Sequence, residues 1–396
     1  MRTTHREGIK KPSVITVVHI ITGLETGGAE MMLYKLLSKM DRVRFRNIVI
    51  SLTGLGTLGA PLQQMGIEVH VLNVRSGIAY VMGFLKAIRL LRRIRPDVLQ
   101  TWLYHADFLG SLAGKIAAVP NIVWNIRCSD MDLRHYSHMT SRILQMLTWM
   151  SSVPRVVVVN SEAGRLLHEA VGYTPRRWEL IPNGFDTSRF QPDPHARERL
   201  LQELSLPQNA FIIGSIARFD PMKDHRNLLK ALQILLRTWP NIYCVMVGKG
   251  VAYSNTSLVS TIAELGVEGR VHLRGERKNV ESIMGAFDIF VLSSAFGEGF
   301  PNVVGEAMSC AVPCVVTDVG DSRLVVGDTG KVVSPRDANS LAAALGELVR
   351  MDDSERKMLG NAARHRVEKN YSLAQIVARY ENLYDGLIQH RYSVVS

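Results

Sequence analysis

Short apolar runs recur along the 396-residue chain, each followed by a polar or glycine-containing loop and then by a stretch with helical spacing. Residues 14–22, 47–52, 68–72, 98–101, 122–125, 155–159 and 178–181 read as strands in the first half, and 211–216, 243–248, 271–275, 287–292 and 314–317 in the second. Runs of Val, Ile and Leu without alternation fit strands buried on both faces, the habit of parallel sheets covered by helices. Helices are predicted over 29–39, 79–94, 225–239, 339–350, 354–369 and 373–390, with another starting near residue 110. Strand alternating with helix predicts an α/β chain. The alternation pauses where proline, glycine and charge mix, from Pro182 to Pro207. The pattern therefore predicts a first domain over 1–185, a linker over 186–207, a second domain over 208–372 and a terminal helix and tail over 373–396. No repeat at a solenoid period joins the halves.

The stretch after the 287–292 strand carries the densest chemistry. Ser293-Ser-Ala-Phe-Gly-Glu-Gly-Phe-Pro-Asn302 turns through two glycines into a helix with Pro301 or Asn302 in its first turn. Such a strand–loop–helix junction at the carboxyl end of a sheet offers free N–H groups and partial positive charge to an anionic ligand. Glu298 stands before the helix and Glu306 about one turn inside it. The two acids can flank one ligand; equally, Glu298 can be a solvated loop residue and Glu306 a favourable first-turn acid.

Phe296-Gly-Glu-Gly-Phe-Pro-Asn-Val-Val-Gly-Glu306 strongly resembles the donor-site signature of retaining glycosyltransferases of family 4, which have the GT-B fold. The resemblance runs from Ile15 to Tyr384. It implies two Rossmann-like domains facing across a cleft, with the last helix crossing back to the first domain. It implies transfer of a sugar from a nucleotide diphosphate to an acceptor hydroxyl, with the anomeric configuration retained and no metal. In such enzymes Glu298 would contact the donor sugar and Glu306 the ribose, while the backbone over Gly299, Phe300, Pro301, Asn302 and Val303 meets the diphosphate. Gly27 and Gly28, in a loop between the first strand and helix, resemble the glycines that make room for that diphosphate. His105 matches a histidine beside the reacting sugar. Arg218 and Lys223 match a pair that neutralises the leaving diphosphate, and the loop around Arg277 matches one whose backbone binds the base. A lone histidine past a strand end is by itself more often structural, and loop cations more often simply exposed.

Other motifs read more weakly. Gly54-x-Gly56-x-x-Gly59 follows the second strand rather than the first and lacks the acid that closes the next strand, so a connecting turn explains it better than a dinucleotide site. Asp130-x-Asp132 suggests a metal pair but follows a strand of the first half; with Arg127, Asp130 is an acceptor-side candidate or part of a solvated loop. Helix 79–94 sets Lys86, Arg89, Arg92 and Arg93 against an apolar stripe. It can lie on an anionic membrane or simply pack on the sheet.

Charge sharpens this picture. All of the formal +11 belongs to residues 1–182, with 23 basic against 12 acidic side chains; 183–396 hold 24 of each. No nucleic-acid motif accompanies the excess, so an anionic lipid surface or a lipid-linked or glycan acceptor is the expected partner. Cys128, Cys244, Cys310 and Cys314 lack metal or redox spacing and read as reduced thiols. No signal peptide or spanning segment is evident, which predicts a cytoplasmic protein, peripheral at most on the inner face of the membrane. No cofactor is expected beyond a UDP-, GDP- or ADP-sugar donor. Two other classes remain in view: a sugar-nucleotide epimerase or hydrolase, and a non-catalytic nucleotide-sugar-binding partner.

Overall fold

The structure, a computed structural model, describes residues 14–74, 78–127 and 138–393. The first half alternates β1 (Ile15–Ile21), α1 (Gly28–Lys39), β2 (Phe45–Ser51), α2 (Gly56–Gln64), β3 (Glu68–Val71), α3 (Ile78–Ile94), β4 (Val98–Trp102), α4 (Tyr104–Ile116), β5 (Asn121–Ile126), α5 (His138–Met150), β6 (Val156–Val159), α6 (Glu162–Ala170) and β7 (Trp178–Leu180). All of its strand pairs are parallel, in the order β3-β2-β1-β4-β5-β6-β7. The second half holds α7 (Ala196–Leu204), β8 (Phe211–Ile216), α8 (His225–Leu236), β9 (Ile242–Val247), α9 (Thr256–Glu264), β10 (Val271–Leu273), α10 (Glu281–Met284), β11 (Ile289–Leu292), α11 (Asn302–Ser309), β12 (Cys314–Thr317), α12 (Ser322–Val326), β13 (Gly330–Val333), α13 (Ala338–Arg350), α14 (Asp353–Asn370) and α15 (Leu373–Ser393). Its parallel sheet is ordered β10-β9-β8-β11-β12-β13.

Both sheets are sandwiched, as their unbroken apolar runs require. In the first, Val18, Ile20, Ile50 and Trp124 meet α3, α4 and α5, while Val17, Ile21 and Val49 meet α1, α2 and α15. In the second, β8, β9 and β11 bury one face under α8, α9 and α13 and the other against α7, α11 and α14. Residues of α15, among them Ile376, Tyr380 and Tyr384, belong to the first sheet's core. Tyr380 accepts the Asn125 amide at 2.9 Å, and Tyr384 donates to Gln100. The terminal helix thus crosses back, as the GT-B resemblance implies.

Several elements depart from the sequence reading. The stretch expected to be plain linker contains α7, whose Ala196, Leu200 and Leu201 are buried with Ile212 and Phe287 in the second core. β13 went unpredicted because Gly330-Lys-Val-Val333 is short and only half-buried. The Gly54-x-Gly56-x-x-Gly59 motif opens α2. Gly56 has φ +53°, and a Cβ there would lie 2.2 Å from the Leu24 carbonyl carbon, so this glycine supports the first loop from below. Cys244, Cys310 and Cys314 are buried and unpaired.

Candidate functional site

Strand order reverses between β1 and β4 in one sheet and between β8 and β11 in the other. At such a reversal the following helices lie on opposite faces and leave a crevice at the strands' carboxyl ends, where open α/β sheets take ligands. The loops leaving these four strands carry Gly27 and Gly28, His105, Arg218 and Lys223, and Glu298 to Asn302. Topology alone collects the candidates at two crevices.

The two crevices meet. Lys35 on α1 lies 3.9 Å from Glu306 on α11. Asn183 donates to the Asn302 side chain at 2.6 Å. Asp321 accepts the backbone N–H groups of Glu162 at 2.7 Å and Ala163 at 3.0 Å, so a carboxylate of the second half caps α6 of the first. The Asp321 N–H in turn donates to the Gly299 carbonyl at 2.8 Å. Gly320 permits this approach: its φ is +59°, and a Cβ would fall 2.1 Å from the Glu298 carbonyl oxygen.

On the second sheet, the Lys223 ammonium pairs directly with the Glu298 carboxylate, which also accepts from the Ser294 hydroxyl at 2.5 Å. Both side chains are largely buried. Ser293 fixes the loop by donating to the Lys223 carbonyl at 2.9 Å. Arg218 is exposed and held by Asp220 at 3.0 Å. A three-residue turn at Pro221–Lys223 joins it to Lys223, and the left-handed Asp224, φ +46°, leads on into α8. His225 follows at the start of α8, where burial pushes its imidazole down to about 4 and leaves it neutral.

α11 begins after Pro301 with no side-chain cap, and among the described residues only Val304 of its first three N–H groups has a partner, the Pro301 carbonyl at 3.2 Å. Val303 is half-buried against the second core. Burial raises the Glu306 carboxyl, with Lys35 and Arg189 opposing. The Phe300 side chain is buried, stacked on Phe185 with centroids 5.9 Å apart, and anchors the loop. On the first sheet, a Cβ at Gly28 would meet nothing within 4 Å, whereas at Gly27 it would strike the flexible Glu30 carboxylate. His105 sits in the first turn of α4 behind Leu103, a non-glycine residue with φ +72°, and burial lowers its pKa. Backbone strain of this kind is retained where the surroundings enforce it.

Three further candidates lie away from these contacts or outside the described residues. The Arg277 guanidinium is committed, with that of Arg274, to Glu203 of α7, which leaves the backbone reading of that loop untouched. Arg127 packs over Trp102 at 5.2 Å and donates to Asn183 and, at 2.7 Å, to Tyr380. It ties the junction of the halves through these bonds. Asp130 lies outside the described residues. Sequence reasoning missed Ser294, Lys35, Asn183 and Asp321. Asp321 had one signal, an acid beside a glycine just past a strand end.

Among the described residues no cluster of His, Cys, Asp and Glu could hold a metal, and no helix is long and apolar enough to cross a membrane. Residues 26–189 match the family model described as glycosyltransferase family 4, and 196–366 that described as glycosyl transferases group 1. The chain is 22% identical over 309 residues to the UDP-Gal:alpha-D-GlcNAc-diphosphoundecaprenol alpha-1,3-galactosyltransferase of Escherichia coli, covering 76% of this chain and 79% of that one. It is 23% identical to the capsular polysaccharide biosynthesis glycosyltransferase CapM of Staphylococcus aureus, covering 84% and 88%. Its fold superposes on Anabaena HepE in complex with UDP with a TM-score of 0.81 at 22% identity, over 94% of this chain and all of that one.

Proposed function

The chain belongs to glycosyltransferase family 4, is a GT-B protein dependent on a nucleotide sugar for glycan or glycolipid synthesis, and on that basis we propose that it transfers the sugar with retention and without a metal. The first half takes the acceptor and the second the donor. The bond from the anomeric carbon to the diphosphate breaks, and its electron pair goes to the phosphate oxygen. The acceptor hydroxyl attacks from the same face and gives its proton to that leaving oxygen. Arg218, Lys223 and the free N–H groups of α11 stabilise the charge that builds there. Glu298 orients the sugar hydroxyls, Glu306 the ribose, and Gly28 leaves room for the diphosphate. His105 stands neutral on the acceptor side of the reacting sugar. The protein works in the cytoplasm, at the inner membrane surface.

The observation that carries this reading is the Lys223–Glu298 pair on the second sheet, with Lys35 reaching Glu306 across the cleft. A cation and an acid are held together at one switch point, beside an uncapped helix start. Thermal-shift titration with UDP, GDP and ADP tests the donor site: one nucleotide should raise the melting temperature by mass action. Proton NMR of the product formed from the matching α-linked sugar nucleotide should show an α linkage. An inverted product, or activity abolished by a chelator, would overturn the mechanism.

A further inference from the structure

The first half contains a second concavity that donor chemistry does not need. A cavity of about 740 Å³ opens between α3, α4 and α5, with Thr22, Thr53 and His105 at its polar end and Val81, Phe84, Phe108 and Leu112 along its walls. Its volume suits a drug-sized apolar ligand. Thr22 directly follows β1, so the polar end lies at the start of the loop that runs to Gly27 and Gly28.

The outer surface around this cavity is apolar where a soluble surface would be polar. Along α3, Gly83, Ala87, Ile88 and Leu91 are buried against the sheet. The opposite stripe exposes Ile78 by 78%, Val81 by 58% and Met82 by 65%. Leu85, Leu112 and Met146 are exposed as well. Toward the far end of α3 the stripe becomes basic with Arg89, Arg92 and Arg93. α3 and α5 contain no acid, and the single acid of α4, Asp107, is buried. Favourable placement of cations at a helix carboxyl end explains Arg92 and Arg93. It does not explain exposed Ile78, Val81 and Met82 beside an apolar cavity.

Resting on the transferase reading above, we propose that the cavity holds the hydrocarbon chain of an amphiphilic acceptor, which enters from an anionic bilayer against which α3, α4 and α5 lie. The apolar rim reaches the acyl boundary and the basic residues meet anionic headgroups. The chain then threads toward His105 and leaves the acceptor hydroxyl in the cleft. This arrangement accounts for an apolar cavity and a one-signed charge on the same face.

Binding of hexyl, octyl, decyl and dodecyl phosphate, each below its micelle threshold, tests the inference. Affinity should rise roughly fourfold per added methylene until the cavity is filled. The double variant Val81→Asp with Leu112→Glu should flatten that series and lose flotation with phosphatidylcholine vesicles containing phosphatidylglycerol. Both positions are exposed, so the variant should fold and keep the wild-type thermal response to its nucleotide. A flat series in the wild type, or an unchanged one in the variant, overturns the inference alone when the nucleotide response is normal. A wild type that responds to no nucleotide overturns the transferase reading and the inference with it.

Discussion

Lys35 of α1 and Glu306 of α11 approach to 3.9 Å across the cleft, joining helices that start at the switch points of two different sheets. Glu306 is pushed up by burial and Glu281 and pulled down by Lys35 and Arg189. Removing Lys35 takes away a charge that favours the ionised form, so the carboxyl rises further. In Lys35→Met the KM for the donor should begin to climb, as pH falls, at a higher pH than in the wild type. The loss at neutral pH should be about threefold to tenfold, since the pair is only partly screened. Donor kcat/KM measured against pH checks this; superimposable profiles would exclude Glu306 from the donor site.

Lys223 and Glu298 neutralise each other when no ligand is present, so an incoming diphosphate and sugar must divide the pair. Lys223→Met should lower kcat by roughly 10²–10³, the cost of removing one preorganised group from a developing oxyanion. Glu298→Gln keeps the hydrogen bond from Ser294 and removes the charge; its loss should fall on both kcat and donor KM. Steady-state kinetics on both variants distinguishes catalysis from a merely structural ion pair, whose loss would move the melting temperature and leave kcat intact.

Gly28→Ala separates room for the fold from room for the ligand. The added methyl meets no protein atom within 4 Å. Alanine is also the better helix former by up to about 1 kcal/mol. The variant should melt at or slightly above the wild-type temperature yet lose at least roughly tenfold in donor affinity, because the methyl occupies the space a diphosphate needs. Differential scanning fluorimetry with and without nucleotide reads both effects. Undiminished affinity would mean the diphosphate lies elsewhere.

Asp321 is one of the residues that tie the donor loop to the first domain. Asp321→Ala strips two hydrogen bonds from the first turn of α6, at a cost of roughly 1–2 kcal/mol, typical of a lost cap. The expected result is a lower melting temperature and faster limited proteolysis near residues 161–164, with nucleotide protecting the variant less than the wild type. Asp321→Asn, which still accepts one bond, should fall between. Wild-type protease sensitivity in both variants would show that this contact does not hold the halves together.

The strands other than β13 and the ligand loops were legible because a sheet buried on both faces leaves uninterrupted apolar runs whose carboxyl ends mark the crevice. Lys223 and Glu298 could be read from their positions after β8 and β11 without knowing that they touch. Arg127 could not: its partners Asn183 and Tyr380 lie 56 and 253 residues away, and only the returning α15 brings them together. Helix α7 hid for another reason. Its sequence is mostly polar, and three buried apolar residues suffice to seat it on the second core. The exposed half of α3 was visible as an amphipathic pattern, but which face packs and which remains bare depends on the sheet beneath it.

Asp107, two residues beyond His105, offers a pH test of the first domain. It is fully buried, Thr101 lies 2.5 Å from Oδ1, and Oδ2 has no partner among the described residues. Burial raises its pKa well above the ordinary carboxyl range, with Thr101 opposing. The folded state therefore holds this proton at a pH where the unfolded chain has released it. Its stabilising contribution is complete below the unfolded value of about 3.9 and is lost as pH rises through the folded pKa, at up to about 1.4 kcal/mol per pH unit. Asp107→Asn cannot ionise and nearly preserves the shape. The melting temperature of the variant relative to the wild type should therefore increase from acid toward alkaline pH, levelling once the wild-type acid has ionised. Parallel melting curves across that range would mean that Asp107 has the same pKa in the folded and the unfolded chain.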